Sequence, residues 1–244
     1  VRDAFGKKES GAGVSIRDEL RRLASPARAK VSQSFFRTGP GEYGEGDVFW
    51  GIAVPEIRRV AKRNSAADID GLRVLLRDQV HECRLCALLV LREQYGRATA
   101  AKKEFLVNFY LENAGRVNNW DLVDSSAPYI LGDWLLNRER SVLFVLAGSK
   151  SLWERRIAVV ATYAFIRNND FADTLRLCER LMGDPHDLMH KACGWMLREV
   201  GKRDENALTG FLEKHAKTMP RTMLRYAIER LSPARRQHFM RRDS

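Results

Sequence analysis

Residues 152–167 read LWERRIAVVATYAFIR, and Ile157, Val160, Ala161 and Ala164 fall at the spacing of a helix with one apolar face. Similar starts recur along the chain. HECRLCALLVL begins at His81, NNWDLVDSSAP at Asn118, LMHKACGWMLR at Leu188 and PRTMLRYAIER at Pro220, so the interval is 32 to 37 residues. Each start follows an earlier helical stretch and a short polar break. Two helices per unit at a near-constant period predict an all-α superhelix, a solenoid of paired helices. Small residues stand where such helices have to approach closely: Ala87, Ala127, Ala158, Gly194 and Ala227.

Local punctuation agrees with this reading. Ser15 precedes Ile16 and Leu20, with Asp18 three positions on, a weak capping box. Ser25-Pro26 and Val54-Pro55 read as a cap followed by proline at the first helical position. Leu85, Leu88, Leu89 and Leu91 sit at largely helical spacing, and no convincing alternating strand is present. Residues 38–51, TGPGEYGEGDVFWG, read as a long irregular loop. The expected organisation is a loose N-terminal arm, 1–14, and a single helical-repeat domain, 15–244.

The chain of 244 residues carries 42 Lys and Arg against 31 Asp and Glu, a net charge of +11. That excess points to nucleic acid or another polyanion as partner. Four cysteines, Cys83, Cys86, Cys178 and Cys193, fit small apolar core positions better than a disulfide framework, so a reducing cytoplasm is expected. The Cys83-x-x-Cys86 pair has no second pair to complete a structural zinc site. No run approaches the ~20 apolar residues a membrane span needs, and no signal-peptide core opens the chain.

In a solenoid the second helices of successive units stack side by side, and their equivalent exposed positions line one concave face. Arg84, Arg155 or Arg156, Lys191 and Arg225 fall near equivalent places, a pattern suited to a phosphate backbone. Trp120 and Asp124, at i and i+4, share a helix face. Trp195, with Arg198 one turn later, falls near the corresponding place two units on. Singly, a helical Trp is usually core and an Asp near a helix start is often a cap; their expected convergence on one face is what argues for chemistry. If a sugar–base bond is cleaved there, positive charge develops at C1′. A carboxylate stabilises that charge and orients water, and indole faces attract the cation. A base made cationic by alkylation leaves neutral and needs no strong general acid.

Other motifs point elsewhere only weakly. His186 and His190 form H-x-x-x-H but lack the glutamate of zinc proteases and an evident third ligand. Neither a Walker A loop, nor a G-x-G-x-x-G turn after a strand, nor a G-x-S-x-G elbow is present.

With these residues in view, VNNWDLVDSSAPYILGDWLL (117–136), LWERRIAVVATYAFIR and HKACGWMLREVGK (190–202) resemble the AlkD-type DNA alkylation-repair glycosylases, over roughly residues 50–240. The resemblance implies an all-α superhelix of HEAT-like repeats. It also implies excision of cationic N3- and N7-alkylated purines from duplex DNA, with no metal or organic cofactor and without inserting the lesion into a base pocket. Carried over to this chain, Asp124 matches the catalytic carboxylate, and Trp120 and Trp195 the pair that cradles the deoxyribose. Arg156 best matches the phosphate-contacting arginine, with adjacent Arg155 the alternative, and Arg198 is a further backbone contact. The 38–51 loop is longer than the family's usual early connection, and some relatives on this scaffold lack glycosylase activity. A non-catalytic nucleic-acid-binding protein and a protein-binding helical scaffold are the competing readings. A monomer is expected.

Overall fold

A computed structural model describes residues 11–241 of the chain. About two thirds of the described residues are helical, and all the named elements are helices. The elements are α1 (Gly11–Arg21), α2 (Pro26–Phe35), α3 (Val54–Arg63), α4 (Ile69–Leu76), α5 (His81–Arg97), α6 (Ala100–Glu112), α7 (Trp120–Ser126), α8 (Ser141–Leu146), α9 (Leu152–Ala161), α10 (Tyr163–Arg167), α11 (Ala172–Arg180), α12 (Asp187–Arg203), α13 (Glu205–His215), α14 (Arg221–Ala227) and α15 (Pro233–Met240). The only β pairing among them is an isolated bridge between Val48 and Val80. No helix among the described residues is long and apolar enough to cross a membrane.

The repeat starts expected from the sequence coincide with α5, α7, α9, α12 and α14 to within two residues. Each is preceded by a partner helix, α4, α6, α8, α11 and α13 in turn. Caps fix several of the starts. Asp68 accepts from Gly71 N at 2.6 Å ahead of α4, Ser151 from Glu154 N at 3.4 Å ahead of α9, and Asp204 from Ala207 N at 3.0 Å ahead of α13. Ser25-Pro26 opens α2 as expected, whereas at Val54-Pro55 the helix already begins at Val54, with Ala53 as its cap. The expected cap at Ser15 is wrong. Ser15 lies inside α1, so the local signature does not mark a helix start. Of the anticipated arm, residues 11–14 are therefore helical, and residues 1–10 lie outside the described residues.

The chain divides into two compact units, Val1–Leu122 and Val123–Ser244, with the boundary inside α7. In the first unit α1, α3, α4 and α5 pack together around Ile16, Leu20, Ile57, Val60, Leu72, Leu75 and Leu88, all fully buried. The loop 38–51 is irregular as expected, but it is anchored rather than loose. Glu82, buried at the start of α5, accepts three backbone N–H groups from the end of the loop and the residue after it: Trp50 at 3.0 Å, Gly51 at 2.7 Å and Ile52 at 3.1 Å. Gly51 has φ +73°, and a Cβ there would stand 2.2 Å from Ala29 N, so only glycine lets the loop lie against α2.

In the second unit α12 lies between α9 and α14. Its packing against α14 is close because residue 194 is glycine. A Cβ there would stand 2.5 Å from Tyr226 Cβ and 2.6 Å from the Met223 carbonyl oxygen. Ile157, Val160, Leu197, Met196 and Met223 fill the space between these helices. After α7 the backbone widens into a π-helical turn, Pro128–Gly132, in which Gly132 N donates to the Ala127 carbonyl at 2.9 Å.

Candidate active site and nucleic-acid interface

The second unit holds the carboxylate singled out in the sequence. Asp124, on α7, accepts from Arg156 Nε at 3.0 Å and from Nη2 at 2.9 Å, a two-pronged pair. Arg156 projects from α9, is almost fully buried, and donates from Nη1 to the Leu188 carbonyl of α12 at 2.7 Å. One guanidinium of α9 thus meets groups from both α7 and α12. The Asp124 side chain keeps 20% of its surface open against 6% for Arg156, so the acid and not the arginine faces solvent. The pair holds the orientation of the Asp124 carboxylate while a fifth of its surface stays exposed.

Trp195, on α12, is half-buried. Its indole N–H donates to Glu199 at 3.2 Å, and Tyr163 of α10 tilts against its ring at 6.0 Å between centroids. Trp120 is also half-buried, and its recorded ring partners belong to the first unit. It stacks on Phe36 at 5.2 Å with an interplanar angle of 17°, and Phe35 meets it edge-on at 5.9 Å. Phe36 in turn stacks on Phe49 at 4.9 Å, so Trp120 ends an aromatic column.

The expected row of groove cations is corrected at three places. Arg84 is buried in the first unit. Its guanidinium binds Asp47 at 2.6 Å and the carbonyls of Asp78 and Gln79 at 2.9 and 3.0 Å, so no phosphate reaches it. Arg155 is tied to Asp184 by two bonds, of 2.6 and 3.3 Å, and to the carbonyls of Ser149 and Lys150, which makes it a loop clamp. Arg156 is not placed as a phosphate contact either, because its fork is occupied by Asp124 and Leu188; its place is that of a positioning residue. The remaining cations lie nearer solvent. Lys191 pairs with Asp187 at 2.8 Å across one turn, and this pairing holds the Asp187 carboxyl below its ordinary pKa. Arg198 pairs with Glu229 and Glu199, and Arg225 is exposed.

The first unit contains a charged cluster that sequence reasoning missed. His81 is buried between Asp121, 2.8 Å from Nε2, and Asp47, 3.3 Å from Nδ1. Asn119 donates to Asp47 at 3.3 Å. Phe49 and Phe36 cover the imidazole, with centroids at 4.5 and 5.0 Å. Burial opposes the imidazolium, but the two carboxylates outweigh it and raise the His81 pKa to about 9. The available signal was His81-Glu82 at a helix start downstream of an acid-bearing glycine loop, too common a combination to read alone.

The H-x-x-x-H pair is used locally. His186 accepts from Leu188 N at 3.2 Å and caps α12, and His190 bonds the Asp184 carbonyl at 2.6 Å. Burial pushes the His186 pKa down. The cysteines are buried, as the core reading expects. Burial raises the Cys86 thiol to about 12 and Cys83 further, so neither is a ready thiolate.

No protein of curated function matches the chain. A solved structure described as a predicted DNA alkylation repair enzyme from Enterococcus faecalis superimposes with a TM-score of 0.67 at 15% identity, over 86% of this chain and 98% of its own. The smu.31 protein of Streptococcus mutans UA159 does so with a TM-score of 0.50 at 15% identity, over 89% and 96%. At that identity these likenesses establish the all-α fold alone. The family model for DNA alkylation repair enzymes matches residues 16–231, nearly the whole length, and the chain belongs to that family.

Proposed function

We propose that the protein is a monofunctional DNA glycosylase that hydrolyses the N-glycosidic bond of cationic N3- or N7-alkylated purines in duplex DNA, acting as a monomer and without inserting the lesion into a base pocket. The observation that carries this reading is the Asp124–Arg156 pair: a partly open carboxylate held from behind by a buried, doubly anchored guanidinium. In the proposed reaction the alkylated base leaves with the bonding electrons and becomes neutral. Asp124 stabilises the oxocarbenium-like sugar and orients the water that adds to C1′. Trp195 offers an indole face to the deoxyribose, and a partly desolvated indole–cation contact contributes ~0.5–2 kcal/mol. Lys191, Arg198 and Arg225 contact phosphates, and the net charge of +11 draws the duplex in.

The test is release of free 7-methylguanine from a methylated duplex, with the abasic strand left uncut. Salt-sensitive binding without base release would instead identify a nucleic-acid-binding module. Little affinity for DNA at all would identify a protein-binding scaffold.

A further inference from the structure

A pocket of about 340 Å³ opens in the second unit between the π-helical turn and α10. Pro128, Tyr129 and Asp133 line it from the turn side; Tyr163, Arg167 and Asn168 line it from α10 and the residue that follows. Its volume lies within the ~300–1,000 Å³ range of small-molecule sites. Its chemistry is mixed in a particular way. Tyr163 is half-buried and supplies an aromatic wall, and Tyr129 a second. The Asn168 amide donates to the Ala164 carbonyl at 2.8 Å, which fixes its orientation. Arg167 is exposed at the rim, and Asp133 brings an acid to the same opening. A lone phosphate would meet that acid as well as the arginine. A flat heteroaromatic ring with both donors and acceptors on its edge suits aromatic walls and polar groups of both kinds.

Tyr163 joins this pocket to the proposed site, because the same ring tilts against Trp195 at 6.0 Å. The π-helical turn is what makes room. It follows α7, the helix of Asp124, and Gly132 within it sits so close to α9 that a Cβ would stand 2.2 Å from the Ala161 carbonyl oxygen. Such turns recur at functional sites because they re-aim side chains at a cost in helix regularity.

The geometry points to a purine subsite in this pocket, whose Tyr163 wall also meets Trp195. The inference rests on the glycosylase reading for its choice of purine. The ring has two possible sources: the alkylpurine after it has left the sugar, or an unpaired purine still in the strand. The subsite is not the place where the lesion is cleaved, since Asp124 does not line it.

Two binding measurements test it, both in the Asp124→Asn background so that turnover plays no part. Free 7-methylguanine is titrated and followed by saturation-transfer NMR. In parallel, a duplex with a purine facing an abasic-site analogue is compared by anisotropy with one in which that purine is also missing. The Arg167→Ala/Asn168→Ala double variant changes only exposed side chains, and circular dichroism verifies its fold. The subsite predicts that this variant weakens at least one probe by roughly five-fold or more, and the affected probe identifies the source of the ring. If the variant matches the parent on both probes, or the parent binds neither preferentially, the subsite is overturned. Absence of base release by the wild type, with probe binding intact, would remove the glycosylase chemistry and leave the purine subsite standing.

Discussion

Each unit holds an acid–arginine pair, and the two pairs differ in how much of the acid stays exposed. In the first unit Asp47 is held by Arg84, His81 and Asn119, and only 6% of its side chain is open. Its neighbours His81 and Arg84 are equally sealed, under an aromatic column. In the second unit Asp124 is held by Arg156, yet a fifth of its side chain remains open. A sealed charge cluster orders a structure, whereas a carboxylate that is held in place yet partly exposed is suited to act on something that arrives. The contrast also explains how a protein with an excess of arginine uses many of its cations internally and still presents a positive field outside.

Removing one partner from the sealed cluster should have the largest effect on stability. Asp47→Asn leaves Arg84 and His81 short of an anion, and breaking a buried pair in this way costs ~3–5 kcal/mol. Urea melts of the variant should show that loss, while base release per folded molecule stays near the wild-type value. A large loss of activity without loss of stability would reverse the roles assigned to the two acids.

Arg156→Ala comes next. It deprives Asp124 of its anchor, so base release should fall by ~10-fold or more, with the salt dependence of DNA binding nearly unchanged. A flatter salt dependence would return Arg156 to the phosphate-contacting role expected from the sequence. Arg156→Lys keeps the charge and loses the fork, and should recover stability better than rate.

The pH dependence of stability provides a third comparison. His81 has a folded pKa of about 9 against 6.5 for the free side chain. Its contribution is therefore fully present below pH 6.5 and is lost as pH rises through about 9, a change of up to ~3 kcal/mol. Replacing His81 with Gln should remove that slope from the pH profile of the urea midpoint. A slope that persists would place its origin in another group.

The smallest effect belongs to the outer cations. Arg225→Ala should weaken DNA binding modestly and reduce the slope of log affinity against log salt by about one. The buried Arg84 should contribute nothing to that slope in any variant that still folds.

The repeat architecture was legible because apolar periodicity is written locally, and the starts at His81 and Leu152 coincide with the ends of real helices. That Trp120 and Asp124 share one short helix was legible for the same reason, since their spacing is written locally. The arginines were not. A sequence shows a charge but not its partner, and Arg84 meets Asp47 only because Glu82 and Gly51 pin a glycine-rich loop over α5. Arg155 and Arg156 are neighbours in the chain but point about 100° apart around a helix. One therefore clamps a loop through Asp184 while the other grips Asp124. Ser15 failed as a cap because a four-residue signature says nothing of how far upstream a helix begins.

The central claim is that the Asp124 carboxylate performs the chemistry. Single-turnover release of 7-methylguanine by Asp124→Asn, measured beside its affinity for the same duplex, tests that claim most directly. Release should drop by ~10²–10³-fold or more, while binding is retained or tightened because a negative charge has left the neighbourhood of phosphates. Release at the wild-type rate would contradict it.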